Sequence, residues 1–128
     1  AESVVAGEIV ACQHVVRACR RHLVDLGRAE NESDYPFEFD REAEERVLDF
    51  CRNLNHYKGP KAGECFEPQP WQAFILGSIF GWKQRSDGTR RYQYAYIEIA
   101  RKNGKSFLGA AVGLYMLCMD GEGGAEVY

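Results

Sequence analysis

The feature that most constrains this chain is a junction near its C-terminal end. A nine-residue stretch in which both alternating faces are apolar or aromatic, YQYAYIEIA (92–100), runs into RKNGKS (101–106). The small-residue apolar run FLGAAVGLYMLCM (107–119) follows. Tyr92, Tyr94 and Tyr96 alternate with Ala95, Ile97 and Ile99. That spacing predicts a strand covered on both faces, which belongs inside an α/β sheet rather than at a solvated edge. The run after the glycine predicts a helix. A turn at Gly123-Gly124 with AEVY behind it predicts entry into another strand, giving the order β-α-β.

The hinge of that junction has the parts of a phosphate-binding loop. Such a loop needs converging backbone N–H groups, a glycine where the backbone comes close, a lysine for the terminal phosphates and a hydroxyl for Mg²⁺. Gly104, Lys105 and Ser106 supply the last three in order, after a strand and at the opening of a helix. The full pattern asks for a glycine at position 99, where this chain has Ile99. An ordinary β-turn at Asn103-Gly104 with an exposed lysine is the alternative. Against it stands the cluster Arg101, Lys102 and Lys105: three cations at the positive end of a helix dipole repel one another unless an anion completes them. Asp120 closes an apolar run in a way that imitates a magnesium-holding acid. It follows Lys105 by 15 residues of helix and therefore lies at that helix's far end.

Upstream, Val5, Ile9, Cys12, Val16, Cys19, Leu23 and Leu26 recur in steps of three and four and predict one amphipathic helix. A coiled-coil seam would show the same stripe, but the opposite charges that flank such a seam are missing. Arg17, Arg20, Arg21 and Arg28 occupy the other face, either as a solvated surface or as a nucleic-acid contact. Gly27 to Asp40, acidic and containing Pro36, reads as a loop. Asp40 reads as the cap of a second helix that buries Ala43, Val47, Cys51 and Leu54 and stops before Gly59-Pro60. A loop from His56 to Gln69 leads to Pro70 at the first turn of PWQAFILGSIFGW (70–82), apolar nearly all round and so expected to be buried. Asp87-Gly88 marks a turn.

Composition closes off several classes. With 128 residues, 45% apolar and 12% aromatic, the chain can bury a core of one domain, and disorder is excluded. No apolar run reaches the roughly 20 residues of a membrane span. Sixteen basic against 19 acidic residues, net −3, give no global pull toward nucleic acid. Cys12, Cys19, Cys51, Cys65 and Cys118 make an odd set without a CxxC pair, which points to a reducing, cytoplasmic compartment and to thiols acting as small core residues. A zinc site from Cys12, Cys19 and His14 or His22 is disfavoured, because seven-residue spacing on one helix does not build a tetrahedron.

IEIARKNGKS, with Arg101 and Lys102 ahead of the glycine and no first glycine, resembles the deviant Walker A motif of phage terminase large subunits. EPQPWQAFILGSIFGWK resembles that family's adenine-binding segment, FEFDREAEERVLDFCRNLNHYKGPKAG the helix and loop leading to it, and VAGEIVACQHVVRACRRHLVDL its N-terminal helix. The resemblance implies an α/β P-loop NTPase core, three-layered with a mostly parallel sheet. Residues 1–69 would form a helical lead-in and residues 70–128 the start of the ATPase domain. It implies ATP and Mg²⁺ as cofactors, with Lys105 on the β- and γ-phosphates, Ser106 on Mg²⁺, and Lys102, Asn103 and Gly104 in the cradle. Arg101 would serve as the γ-phosphate arginine, acting catalytically with Lys105, and Gln72 would read the adenine edge. Trp71 would stack on the base, or else be a core tryptophan. Double-stranded DNA, a portal protein, a small terminase subunit and further copies of the chain are the implied partners, in a bacterial host's cytoplasm. The implied activity is ATP-driven packaging of DNA into a capsid, with cleavage by a separate nuclease domain. The family's Walker B acid, its neighbouring glutamate and its nuclease acids have no counterpart here, so the expectation is an N-terminal fragment with little ATP turnover of its own. A helicase-like or kinase-like P-loop enzyme, a non-catalytic DNA or protein interaction module and a small structural protein remain open alternatives.

Overall fold

The computed structural model describes residues 1–56, 60, 62–121 and 126–127. The elements run α1 (Glu2–Val5), α2 (Gln13–Asn31), β1 (Phe37–Phe39), α3 (Arg41–Arg52), α4 (Pro70–Gly81), β2 (Trp82–Gln84) and α5 (Lys105–Cys118).

Asp40 caps α3 as its position predicts: its Oδ1 accepts the Ala43 N–H at 2.9 Å, while Oδ2 takes Lys83 Nζ at 2.7 Å. One carboxylate thus ends a strand, starts a helix and ties both to β2. Those contacts hold its pKa below the usual carboxylate value, Lys83 being the main cause. The helix buries Ala43, Val47 and Cys51 on the expected face. Pro70 opens α4, and the Gln69 N–H donates to Gln72 Oε1 at 2.8 Å across its first turn. The core lies where α3, α4 and α5 meet: Val47, Cys51, Leu76, Phe80, Leu108, Ala111 and Tyr115, closed on one side by Phe66.

A second knot joins α2 to the strands. β1 and β2 pair antiparallel with Phe37 opposite Gln84, Glu38 opposite Lys83 and Phe39 opposite Trp82. Trp82 is fully buried, and its Nε1–H donates to His22 Nδ1 at 3.1 Å. Phe39 meets the His22 and Trp82 rings edge-on, each at 5.2 Å between centroids. Gly81 permits this approach, since a Cβ there would sit 2.7 Å from the Phe39 ring. Nearby, Asp25 of α2 is buried with its Oδ2 2.8 Å from Arg91 Nη1. Arg91 also donates to Tyr35 Oη at 3.1 Å and lies over the Phe37 ring at 4.3 Å.

Several sequence expectations need correcting. The continuous first helix is broken: Gly7 takes a left-handed φ of 81°, residues 6–12 leave the helix, and Val10 is 98% exposed. The apolar period runs through the break because spacing does not register backbone handedness. α2 continues to Asn31, beyond the expected loop start at Gly27, and β1 lies in the remainder of that loop. Trp82 belongs to β2 rather than to the helix. Only Cys19 and Cys51 are core thiols; Cys12, Cys65 and Cys118 are exposed. The largest correction concerns residues 92–100. They form no strand with any described segment, Gln93 lies in a bend, and Tyr94 is 92% and Tyr96 89% exposed. A strand exists through its ladder partners, and the only sheet among the described residues is the antiparallel β1–β2 pair, so the three-layer parallel sheet is not observed there. Gly59 and the turn at Gly123-Gly124 lie outside the described residues, as do Ala125 and Tyr128 of the AEVY strand start.

Candidate nucleotide-binding cleft

The loop before α5 is shaped by two left-handed residues, Lys102 (φ 68°) and Gly104 (φ 74°). The conformation is free for glycine and strained for lysine, so the surroundings must hold Lys102 there. Asn103 Nδ2 donates to the Ala100 carbonyl at 3.3 Å and closes the loop. The first helical amide to reach a carbonyl is that of Leu108, which donates to Gly104 at 2.9 Å. The amides of Lys105, Ser106 and Phe107 have no backbone acceptor among the described residues, leaving a concave set of donors at a positive helix end. Arg101, Lys102 and Lys105 make no ion pair with any described residue, so their positive charge is uncompensated among the described residues.

Beside this loop is a cleft of about 400 Å³ lined by Trp71, Gln72, Asn103 and Gly104 together with His56, Glu64, Cys65, Phe66, Glu67 and Gln69. Two segments 30 residues apart that the sequence nominates, α4's first turn and the glycine loop, therefore face one hollow. Gln72 makes the join: it is 3% exposed, and its Nε2 lies 3.5 Å from where a Cβ on Gly104 would be. Its Oε1 is already committed to the Gln69 N–H. Toward the cleft the amide therefore presents mainly its donors, which narrows the expectation that it donates and accepts at once. Trp71 is 38% exposed at the cleft rim, so the core-tryptophan alternative does not hold.

The other nominated residues are placed differently. Lys105 lines a separate hollow of about 790 Å³ between residues 92–99, α4 and α5. Arg101, Lys102 and Ser106 are exposed and line neither space. Asp120 sits at the far end of α5, as its spacing requires, in an ion pair with Arg90. Of the α2 arginines, Arg21 lies over Tyr92 at 5.3 Å, and Arg28 pairs with Glu32 at 3.0 Å and covers Tyr35 at 4.3 Å. Among the described residues no cluster of three His, Cys, Asp or Glu side chains is placed to hold a metal, and no helix is long and apolar enough to cross a membrane.

The sequence reading missed the far wall of the cleft. His56 leans on Phe107, in the first turn of α5, with ring centroids 5.2 Å apart, and Phe66 meets the same ring at 4.5 Å. A bare loop assignment gives no period from which to find these residues. The informative signal was the His and Phe content of a stretch otherwise polar.

No curated protein and no solved structure matches the chain. Residues 70–128, from the first turn of α4 through the glycine loop and α5, match the family model of the terminase large subunit ATPase domain. Through that segment the chain is similar to the ATPase domain of terminase large subunits.

Proposed function

We propose that the cleft between α4 and the glycine loop receives ATP, and that the chain serves the ATPase motor by which a terminase large subunit drives double-stranded DNA into a capsid. The observation that carries this is the convergence of Trp71 and Gln72 with Asn103 and Gly104 on one hollow at the open amide end of α5. The base lies against Trp71 and accepts from the Gln72 amide. The polyphosphate reaches the amides of residues 105–107, where the helix end and the unpaired cations favour an anion.

Lys105, whose side chain now borders the neighbouring hollow, turns over the loop onto the β- and γ-phosphates. Arg101 offsets charge on the γ-phosphoryl oxygens. The hydroxyl of Ser106, a hard oxygen ligand exposed beside the loop, fits Mg²⁺; the ion, when bound, neutralises phosphate charge. Lys102 and Asn103 shape the cradle. In the whole protein, cleavage of DNA by a separate nuclease domain, and assembly with further copies, a portal protein and a small subunit in a bacterial host's cytoplasm, complete the reading.

Calorimetric titration of the chain with MgATP and MgADP tests it. Binding should be measurable and weakened at least about tenfold, roughly 1.4 kcal/mol, by Lys105→Ala. Indistinguishable titrations of the two proteins would reject the site.

A further inference from the structure

We propose that His56 and Phe66 are positioning residues for the glycine loop: their rings clamp Phe107 and so fix the first turn of α5, whose amides the polyphosphate reaches in the ATP reading above, on which this inference rests. Both residues come from a two-armed segment between α3 and α4. The Phe66 N–H donates to the Leu54 carbonyl at 2.7 Å, the His56 N–H to Glu64 at 2.9 Å and the Gly63 N–H to His56 at 2.7 Å, and Asn55 bridges Cys65 antiparallel. In that register His56 lies opposite Glu64 and diagonal to Phe66. Diagonal neighbours share one face of such a pair, within reach of aromatic side chains. The two rings do meet there, edge-on with centroids 5.5 Å apart.

Phe107 enters that face. Its ring lies 4.5 Å from Phe66 and 5.2 Å from His56, the latter with 32° between the planes, closer to stacked than to edge-on. It is the third residue of α5, next to Ser106 on one side and on the other to Leu108, whose amide closes the helix onto Gly104 at 2.9 Å. Phe66 belongs to the core with Val47 and Leu76, and Phe107 packs against that core. The arms therefore carry the rigidity of α3 and α4 to the start of α5. Lys102 holds a left-handed φ of 68°, a strain that persists where the ends of the loop are fixed. Asn103 fixes one end at the Ala100 carbonyl, and the ring cluster fixes the other. His56 also borders the cleft together with Gly104, so the clamp acts at the place where the loop meets its ligand. An aromatic pair of this kind is worth a factor of about two to twelve, and removing the His56 ring deletes its contacts with both phenylalanines.

Amide exchange at Leu108 and Leu76 of the intact chain without nucleotide, together with MgATP titration by calorimetry, decides it in His56→Ala, His56→Phe, Phe107→Leu and the double variant His56→Ala, Phe107→Leu. His56→Ala should speed exchange at Leu108 and weaken MgATP binding, each at least about fivefold, while Leu76 in the interior of α4 is unchanged. His56→Phe keeps a ring in place and should bring both back to within about twofold of the unaltered chain. In the Phe107→Leu background, adding His56→Ala should change neither by more than about twofold. Exchange that speeds equally at Leu76 and Leu108 would show a purely structural role. A phenylalanine variant as impaired as the alanine one would show an imidazole nitrogen bonding the ligand directly, and additive losses in the double variant would show that His56 does not act through Phe107. Each of these overturns the proposal. Absent MgATP binding by the unaltered chain overturns the ATP reading and with it the part given to the clamp, whereas MgATP binding with unchanged exchange at Leu108 overturns the clamp alone.

Discussion

The knot around Trp82 and the stretch from Tyr92 to Ser106 are built on opposite plans. In the knot three polar links join distant parts of the chain: Trp82 with His22, Asp40 with Lys83, Asp25 with Arg91. In the following stretch apolar and aromatic side chains lie open, a run of peptide groups is unbonded, and three cations have no counter-ion among the described residues. The first region is completed by its own chain. The second offers surface that another molecule can complete, above all the glycine loop, where an anion is proposed to sit. A rigid frame beside an unsatisfied loop is the usual division of labour in a binding domain.

The sharpest way to break this contrast is to remove one partner inside the knot. Asp25→Ala leaves the Arg91 guanidinium with only the Tyr35 hydroxyl and ring faces in a largely buried place, and should cost about 3 kcal/mol in urea unfolding. The double variant Asp25→Ala, Arg91→Met should recover much of that loss, because the penalty comes from the stranded charge. A double variant as unstable as the single one would show that the pair binds the fold through its attraction instead.

Next in size is a matched pair of truncations. Leu76 is fully buried between α3 and α5, and Leu76→Ala should destabilise the chain by about 2–5 kcal/mol through lost burial and the cavity left behind. Tyr94→Ala deletes a larger side chain and should shift stability by no more than about 0.5 kcal/mol at low micromolar concentration, since the ring touches almost nothing. Equal losses at the two positions would erase the distinction between frame and open stretch.

The two regions also differed in how far the sequence disclosed them. Asp40, Pro70 and Asp87-Gly88 act through bonds within a few residues, so their types announce them: the Asp87 Oδ1 accepts the Thr89 N–H at 2.9 Å, two positions on. The face of α3 follows from period alone. β1 and β2 could not be read, because strands of three residues show no alternation and their pairing joins positions 37–39 to 82–84. The buried links of His22 and Asp25 were hidden for the same reason, being polar residues whose partners lie 60 and 66 positions away. At the cleft, the loop and the first turn of α4 were legible as motifs, yet the residues of the His56 wall and the diversion of Lys105 toward a second hollow depend on tertiary placement. The alternation in residues 92–100 predicts a strand covered on both faces, and among the described residues no such strand forms, because alternation describes a strand's faces and says nothing about its ladder partners.

The smallest expected effect is one of acidity, and it tests whether the knot depends on a neutral imidazole. His22 Nδ1 accepts from Trp82, so the ring proton must sit on Nε2 and the uncharged form is the one that fits. Burial, then the positive N-terminus and Arg41, push the His22 pKa below its ordinary value, against a weaker upward pull from Asp25. The unfolded chain therefore takes up a proton before the folded one does. Stability is fully present above about pH 6.5 and declines as the pH falls below that, toward the lowered folded value. Glu44 works in the other direction, its carboxyl raised by burial, and loses stability as the pH rises above its ordinary value. Comparing urea midpoints at pH 7.5 and 5.5 in the wild type and in His22→Gln isolates the imidazole, because Glu44 is common to both. The wild type should lose more stability than the variant across that interval. An equal change would mean that the imidazolium is tolerated beside Trp82, and that this part of the knot is held by packing alone.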